Sequence, residues 1–470
     1  MEETKAASLQ DVIDNQPDLV EYFWNRPTGT HSRITGGLSP VPPEWTNWRD
    51  EQRAWRESAV IFDQSAHMPE IFLSGPDAFR LLNTVGVNSL ANFGPGVAKQ
   101  FVACNSRGQI IGECVLQDLG EGTYELISGK PILNWVQYQA ETGGYDVTIE
   151  RDEVAWENPN RRKFRFGMDG PNAWAIFEKV IEGPTPEIKF FHTGKVRIAG
   201  VDVLALRHGM AGHRGVELSG PFSEYQRVRE AILEAGAEYG LIPGGSKAYY
   251  SALVESGWIS YPLPAIYSGE DEAEYRKWLP ADSWEARFQL GGSFQPGDIE
   301  DLYVTPYEFG LGSIVKFDHD FIGRAALEEI AQAPNRVKVA LEWNKEDVLK
   351  VWGSQIGEGP TYKAIEFPIS DYAQIHRDAV HTLDGRFVGL STHGGYTANE
   401  KAAVSLGLID PEYAQPGTEL IITWGEPNGG SAKAAVERHQ QTTIRATVTP
   451  VPFAKTVREL KHQTTGATAH

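Results

Sequence analysis

An apolar segment, a Gly-Pro turn and an amphipathic helix follow one another three times along this chain. The turns lie at Leu73-Ser-Gly-Pro76, Met168-Asp-Gly-Pro171 and Leu218-Ser-Gly-Pro221. Glycine allows the tight turn, and proline at the first helical position gives up no hydrogen bond. Ser223 and Gln226 have the spacing of a capping box, which predicts where the third helix begins.

Short apolar segments between and after these helices predict the strands of an α+β protein. Their ranges are 109–116, 124–128, 164–168, 196–206, 215–218, 337–343, 420–424 and 442–451. Gly and Pro turns separate the last three, as in a small barrel or jelly roll. We therefore expect α+β regions at 1–160 and 161–334, followed by a β-rich domain at 335–470.

Composition narrows the class of protein. A net charge of −20 over 470 residues argues against nucleic acid as a partner, because phosphates need a concentrated basic surface. The first ten residues are polar and no run of 18 apolar residues occurs, so neither a signal peptide nor a membrane span is predicted. Cys104 and Cys114 are expected to be reduced core thiols of a cytoplasmic protein.

Common catalytic motifs do not explain this chain. It contains no P-loop, no G-x-S-x-G, no C-x-x-C and no H-E-x-x-H, and no G-x-G-x-x-G follows a predicted strand. A zinc site is therefore not predicted. His67, His208, His213 and His393 lie among glycine, aromatic or arginine residues, a context that often forms pockets. These patterns alone indicate a multidomain enzyme or binding protein without an assigned reaction.

Longer motifs carry a resemblance to a known family. Those that resemble the aminomethyltransferase (glycine-cleavage T-protein) family are TPYEFGLG at 305–312, VKFDHDFIGR at 315–324, GYTANEKAAVSLGLI at 395–409 and PGTEL at 416–420. Those similar to its vanillate/3-O-methylgallate O-demethylases are FDQSAHM at 62–68, LRHGMAG at 206–212, ESGW at 255–258 and PLPAIY at 262–267. The resemblance implies a three-domain cloverleaf with tetrahydrofolate bound at its centre.

The same resemblance implies transfer of a methyl group from an aryl methyl ether to tetrahydrofolate, giving a phenol and 5-methyltetrahydrofolate. Aryl oxide is a poor leaving group until its oxygen is protonated or hydrogen-bonded, and a positioned acid supplies ~100- to 10,000-fold in rate. By the resemblance Tyr249 is this acid, in the loop before ESGW, and Tyr250 is its neighbour. His67 would contact the substrate or its ether oxygen.

The resemblance also implies which residues bind folate. They are Gln64, which lines the substrate cleft as well, Gln100, Ile127, Glu217 and Trp258. A carboxylate at Glu217 suits the adjacent N–H donors of a pterin, and Trp258 can stack on an aromatic ring. The expected partners are therefore tetrahydrofolate and a small aromatic methoxy compound.

Two departures from the vanillate-type pattern concern the substrate. Gly129 stands where those enzymes have an arginine for the substrate carboxylate, with Lys130 next to it, and His31-Ser-Arg33 stands near the place of a tyrosine-bearing loop. We therefore expect a substrate other than vanillate itself. An ortho-methoxy benzoate would present its carboxylate elsewhere, and dicamba (3,6-dichloro-2-methoxybenzoate) fits that expectation.

Two alternatives stay open. One is folate-dependent transfer from an aminomethyl carrier or a sulfonium compound, although aminomethyltransferases place two acidic residues where this chain has Gly112-Glu113. The other is a non-catalytic folate-binding protein of iron–sulfur assembly. Such proteins carry a Lys-Gly-Cys motif where this chain has no cysteine, at 318–324.

Overall fold

The chain folds into an α+β structure with two larger sheets, one pair of short strands and a closed barrel, as the sequence predicted. The computed structural model describes residues 6–25, 41–210, 212–333, 335–430, 432–433 and 436–465, with side chains up to residue 460. His31-Ser-Arg33, noted above, lie outside the described residues.

Amphipathic helices cover the sheets. In the described part of the chain they are α1 (Leu9–Asp14), α2 (Leu19–Trp24), α3 (Trp48–Glu57), α4 (Ala78–Val85), α5 (Lys130–Thr142), α6 (Ala173–Val180), α7 (Tyr225–Gly236), α8 (Ser246–Ser256), α9 (Ala273–Trp278), α10 (Trp284–Arg287), α11 (Arg324–Ile330), α12 (Lys345–Gly353) and α13 (Lys455–Thr465). Short 3-10 turns lie at Phe222–Glu224, Ala237–Tyr239, Ile299–Leu302, Gly312–Ile314, Pro411–Tyr413 and Pro427–Gly429. None of the helices in these ranges is both long and apolar enough to cross a membrane.

All eight predicted apolar segments fall on strands of the structure, which also contains strands that were not predicted. The strands are β1 (Ala59–Asp63), β2 (Glu70–Ser74), β3 (Ala98–Cys104), β4 (Ile110–Gly120), β5 (Thr123–Ile127), β6 (Thr148–Asp152), β7 (Lys163–Asp169), β8 (Thr193–Ile198), β9 (Val201–Leu206), β10 (Val216–Pro221), β11 (Leu241–Pro243), β12 (Leu290–Gly291), β13 (Val337–Trp343), β14 (Ile375–His376), β15 (Asp378–His381), β16 (Phe387–Thr397), β17 (Ala402–Ile409), β18 (Glu419–Trp424) and β19 (Thr442–Thr449). The predicted strand at 196–206 is instead a hairpin, because the chain turns at Ala199 and Gly200, both with positive φ.

The first sheet is antiparallel with the order β3-β4-β5-β2-β6. It shares a core with α4 and α5, in which Leu81, Phe101, Leu126 and Val136 are fully buried. The second sheet has the order β11-β1-β7-β10-β9-β8, and only β11 runs parallel to its neighbour. Its core lies against α6 and α7.

The last strands close a barrel with the order β13-β17-β16-β15-β18-β19. Its interior includes the fully buried Val380, Val388, Leu420 and Ile444. A closed barrel leaves no unpaired strand edge, which explains why these short strands form a stable unit at the C-terminal end. The predicted domain limits at 160 and 334 stay predictions; β1 lies before residue 160 yet pairs with β7 and β11 beyond it.

Two of the Gly-Pro turns lie directly before helices, although α4 and α6 begin two residues after the proline and not at it. The predicted start of the third helix is wrong. Gly75 and Gly170 have φ of +119° and +122°, and a Cβ on either would lie 2.6 Å from a backbone oxygen. Only glycine fits such positions. The predicted capping box at Ser223 is wrong: β10 stays paired through Pro221, Ser223 falls in a 3-10 turn, and α7 starts without a side-chain cap.

Candidate active site

A cavity of about 360 Å³ lies between the two sheets and helix α8, and this volume is typical of small-molecule sites, which occupy ~300–1,000 Å³. It brings together all seven residues predicted for the site, namely Gln64, His67, Gln100, Ile127, Glu217, Tyr249 and Trp258. Their convergence is a structural finding, whereas the chemical role of each stays a prediction.

Strand register places Gln100 and Ile127 in one row of the first sheet. Gln100 pairs with Val115 across β3 and β4, and Val115 pairs with Ile127 across β4 and β5. Directly paired residues of antiparallel strands point to the same face, and all three line the cavity. Glu113 lies two positions before Val115 and therefore points to this face as well.

Glu217 is an ionised carboxylate in the wall formed by the second sheet. His208 Nδ1 lies 3.0 Å from its Oε1, and Gln64 Nε2 donates to the same oxygen at 3.5 Å. Arg165 Nη1 lies 3.7 Å from Oε2. Burial alone would raise the pKa of Glu217, but His208, Arg165 and Gln64 together hold it below its usual value. The carboxylate is therefore charged at neutral pH.

A buried ionic network fixes Arg165 behind Glu217. Arg165 Nε donates to Glu70 at 3.0 Å, and its Nη2 donates to Glu125 at 3.2 Å. Lys163 also binds Glu125, at 2.8 Å. Because a buried charge that loses its partner is strongly destabilising, this network leaves the Arg165 guanidinium, and with it Glu217, little positional freedom.

His67 is a neutral imidazole beside Tyr249, with ring centroids 4.7 Å apart. Burial, followed by the charge of Arg161, lowers the pKa of His67 to about 4, although Glu217 acts in the opposite direction. Its Nε2 is buried and has no hydrogen-bond partner among the described residues. At neutral pH His67 is therefore a hydrogen-bonding group with one open position.

Tyr249 lies in the first turn of α8, where its amide donates to Gly245 O at 3.1 Å, so the expected loop is in fact helical. Its ring contacts Phe62 and Tyr250, with centroids 5.0 and 5.6 Å away. Burial raises the pKa of Tyr249 far above its usual value, although the nearby Gln64 amide acts in the opposite direction. The hydroxyl therefore stays protonated and is a hydrogen-bond donor at neutral pH.

The position of Trp258 follows from how α8 ends. The amides of Gly257 and Trp258 both donate to Leu253 O, at 2.9 and 3.2 Å. Gly257 has a φ of +72°, and a Cβ there would lie 2.3 Å from Val451 Cγ2. A left-handed glycine that ends a helix reverses the chain direction, so Trp258 is turned into the cavity wall.

The structure leaves little room for a longer side chain at Gly129, the position where the resemblance implied an arginine in the vanillate-type enzymes. A Cβ on Gly129 would lie 2.9 Å from Cε1 of Tyr261, so this aromatic ring occupies the room that a longer side chain would need. Lys130 does not replace the arginine, because its Nζ binds Glu157 at 2.6 Å and Glu153 at 3.4 Å. Among the described lining residues none is lysine or arginine.

Glu113 and His208 are titratable residues that line the cavity but were not among those predicted for the site. Burial raises the pKa of Glu113 to about 7, although the nearby Gln100 amide and His208 oppose the shift. His208 lies two residues after Leu206, the residue of β9 that pairs with Glu217. The register of β9 and β10 therefore places His208 beside the Glu217 carboxylate. The glycine and arginine beside His208 in the LRHG motif indicated a pocket residue. Glu113 could be found only from the alternation of side-chain direction along β4.

Comparisons with known proteins show the family of the chain. The model of the GCVT N-terminal domain matches residues 19–263. Syringate O-demethylase of Sphingobium sp. (strain NBRC 103272 / SYK-6) is 44% identical, over 96% of this chain and 97% of that protein. Sesamin methylene transferase of Sinomonas sp. (strain No.22) is 32% identical, over 88% and 90% of the two chains.

The fold recurs in a solved structure, the glycine cleavage system aminomethyltransferase T from Bartonella henselae. The TM-score is 0.60 at 18% identity, over 87% of this chain and 90% of that chain. The fold is thus that of the aminomethyltransferases. The chain belongs to the GCVT family, and within it to the tetrahydrofolate-dependent aryl O-demethylases.

Proposed function

We propose that this protein removes the methyl group of a methoxybenzoate and transfers it to tetrahydrofolate, with Tyr249 as proton donor and His67 as a partner of the substrate. One observation carries the proposal. The rings of Tyr249, with its protonated hydroxyl, and of His67, with its open Nε2, lie 4.7 Å apart at the cavity that also contains the ionised Glu217. The Tyr249 hydroxyl and the His67 imidazole can hydrogen-bond to an ether oxygen, and the Glu217 carboxylate can accept from the N–H groups of a pterin.

The cavity wall has the groups that reduced folate requires. Glu217 supplies a charged acceptor, and hydrogen bonds to a charged acceptor are roughly twice as strong as neutral ones. Gln64 and Gln100 supply amides, while Ile127 and Trp258 supply apolar surface for the ring. Bound tetrahydrofolate would supply the nitrogen that accepts the methyl group.

The reaction moves a proton as well as a methyl group. The carbon–oxygen bond breaks with its electron pair on the aryl oxygen, which then needs a proton, while the accepting nitrogen gives one up as the nitrogen–carbon bond forms. We assign the first transfer to Tyr249. Glu113 lines the same cavity with a pKa of about 7, so its carboxylate is suited to take up the second proton.

A high pKa does not prevent Tyr249 from acting as an acid. Burial disfavours every phenolate, and the aryl oxide released beside Tyr249 is destabilised by the same lack of water. The two oxygens therefore compete for the proton under similar conditions. It follows that a weakly acidic leaving phenol depends most on Tyr249, and the acidic phenol of a dichlorinated ring depends least.

The substrate class in the proposal is a methoxybenzoate, with a syringate-like ring or dicamba as the two candidates. The 44% identical relative is named for syringate. The space filled by Tyr261 beside Gly129 supports a carboxylate that binds differently from that of vanillate. With no lysine or arginine among the described lining residues, histidine, serine or tyrosine side chains would bind it. A cytoplasmic location is part of the proposal, since the buried free thiols of Cys104 and Cys114 suit a reducing compartment.

The test is anaerobic incubation of the purified protein with tetrahydrofolate and syringate, vanillate, 3-O-methylgallate, dicamba or the carboxylate-free guaiacol. Both products are quantified by mass spectrometry. We expect equal amounts of a phenol and 5-methyltetrahydrofolate from at least one benzoate, and none from guaiacol. Folate binding without turnover of any ring would refute the aryl ether as donor and favour the aminomethyl or sulfonium alternative.

A further inference from the structure

His393 has an unusual backbone conformation at a point where the barrel meets the site. It lies in β16 at an irregularity in the pairing with β17, between Thr392 and Gly395. Its φ is +55° and it is 3% exposed. Left-handed backbone is uncommon and strained for residues other than glycine. Such a conformation in a buried residue calls for a compensating role.

The imidazole of His393 connects the barrel to the chain that follows α8. Its Nε2 accepts from the Ser260 amide at 3.3 Å and lies 3.4 Å from the Ser260 hydroxyl. Because Nε2 accepts, the proton of the neutral ring lies on Nδ1, which is 3.0 Å from Thr392 Oγ1. Arg377 donates to the same hydroxyl and the Asp371 carboxylate lies 3.9 Å from Nδ1, so charges of both signs stand nearby.

Ser260 belongs to the wall of the cavity. Trp258, Ser260 and Tyr261 all line it, and Tyr261 is the ring that fills the space beside Gly129. The described lining residues extend from 64 to 261, so the barrel contributes no side chain to that lining. Any influence of the barrel on the site therefore passes through contacts such as the one between His393 and Ser260.

We infer that His393 is a positioning residue: through the Ser260 amide it holds the segment from Trp258 to Tyr261 against the cavity, and thereby sets the affinity for tetrahydrofolate and the substrate. This inference rests on the proposed function for its kinetic consequences. Its structural basis is independent of any ligand, since the hydrogen bond exists within the chain itself.

Two substitutions separate positioning from a general effect on folding. In His393→Gln the side-chain oxygen can reach the place of Nε2 and accept from Ser260, but glutamine tolerates the left-handed backbone poorly. In His393→Asn the amide ends near the place of Nδ1, so that acceptor is lost, whereas asparagine tolerates positive φ well. His393→Asn should therefore have the higher melting temperature of the two variants. His393→Gln should keep the parental position of the segment at Ser260.

The experiment compares the full-length protein, both variants and His381→Asn, a histidine substitution elsewhere in the same barrel. Hydrogen exchange measures the Ser260 amide without ligand, and steady-state kinetics gives KM and kcat. We expect faster exchange over 258–261 and a roughly 3- to 10-fold higher KM for tetrahydrofolate in His393→Asn, as for the loss of one hydrogen bond. His393→Gln and His381→Asn should retain parental exchange and KM.

The inference would be overturned if the exchange rate and KM changed in step with the melting temperature across the variants. It would also be overturned if both stayed at the parental values in His393→Asn. In either case, turnover by the parent protein leaves the proposed function intact. Failure of the parent protein to turn over any methoxybenzoate counts against the proposed function. In that case the exchange of the Ser260 amide still decides the inference.

Discussion

Replacement of Tyr249 by phenylalanine removes one hydroxyl from the cavity and keeps the ring between Phe62, His67 and Tyr250. The polar contact of the hydroxyl with Gln64 is worth no more than about 0.5–1.5 kcal/mol, so folding should be little affected. The loss of a positioned acid is larger. General acid catalysis contributes ~100- to 10,000-fold, or roughly 2.7–5.4 kcal/mol at about 1.36 kcal/mol per tenfold change.

The assay is the anaerobic single-turnover rate of phenol formation with tetrahydrofolate in excess, together with the dissociation constant of tetrahydrofolate. We expect Tyr249→Phe to lower the rate at least ~100-fold while folate binding is retained. Tyr250→Phe is the matched control, because this neighbouring tyrosine lines the same cavity and should lose much less. With dicamba, whose phenol is more acidic, the loss should be smaller than with syringate.

An unchanged rate in Tyr249→Phe would refute the assignment of the acid. Equal losses in the two tyrosine variants would also refute it, since they would indicate a shared packing effect. A loss of folate binding in step with the loss of rate would show that the hydroxyl acts on the cofactor instead of on the leaving oxygen.

Three further outcomes follow from the site and its supports. Glu217→Gln should weaken tetrahydrofolate binding about 10- to 100-fold, because a charge-assisted hydrogen bond is worth about 1.5–3 kcal/mol; isothermal titration calorimetry measures this, and parental affinity would contradict it. Glu113→Gln should abolish the rise of rate with pH near 7, where the carboxylate of the parent loses its proton and becomes a base; an unaltered pH–rate profile would exclude that role. Gly257→Ala should lower the melting temperature, because φ is +72° and the added Cβ would lie 2.3 Å from Val451. A melting temperature equal to that of the parent, measured by calorimetry, would contradict this.

Much of the secondary structure could be predicted from the sequence, because it depends on local preferences. Gly75 and Gly170 mark turns that only glycine can form, and alternation of apolar residues gave the barrel strands at Val337–Trp343 and Glu419–Trp424. The failures are also local. Ser223 has the composition of a cap, but the continued pairing of β10 decides where α7 begins.

The site residues were predicted through motifs shared with a known family, and residue patterns alone would not have found them. Glutamine, isoleucine and tryptophan carry no sign of function when considered singly. His67 and Tyr249 are separated by 182 positions, and only the packing of α8 against the turn after β1 brings their rings together. Glu113 was missed as a site residue because its significance depends on burial, which raises its pKa.

The sequence by itself determined the Gly-Pro turns, about half of the described strands and the family to which the chain belongs. Only the tertiary structure decided the row of Gln100, Val115 and Ile127, the contact between His208 and Glu217, and the cavity itself. The physical reason is that strand register and burial are set by contacts between distant segments. Local sequence constrains φ and ψ, whereas the protonation states of His67 and Glu113 arise from surroundings that exist only in the folded protein.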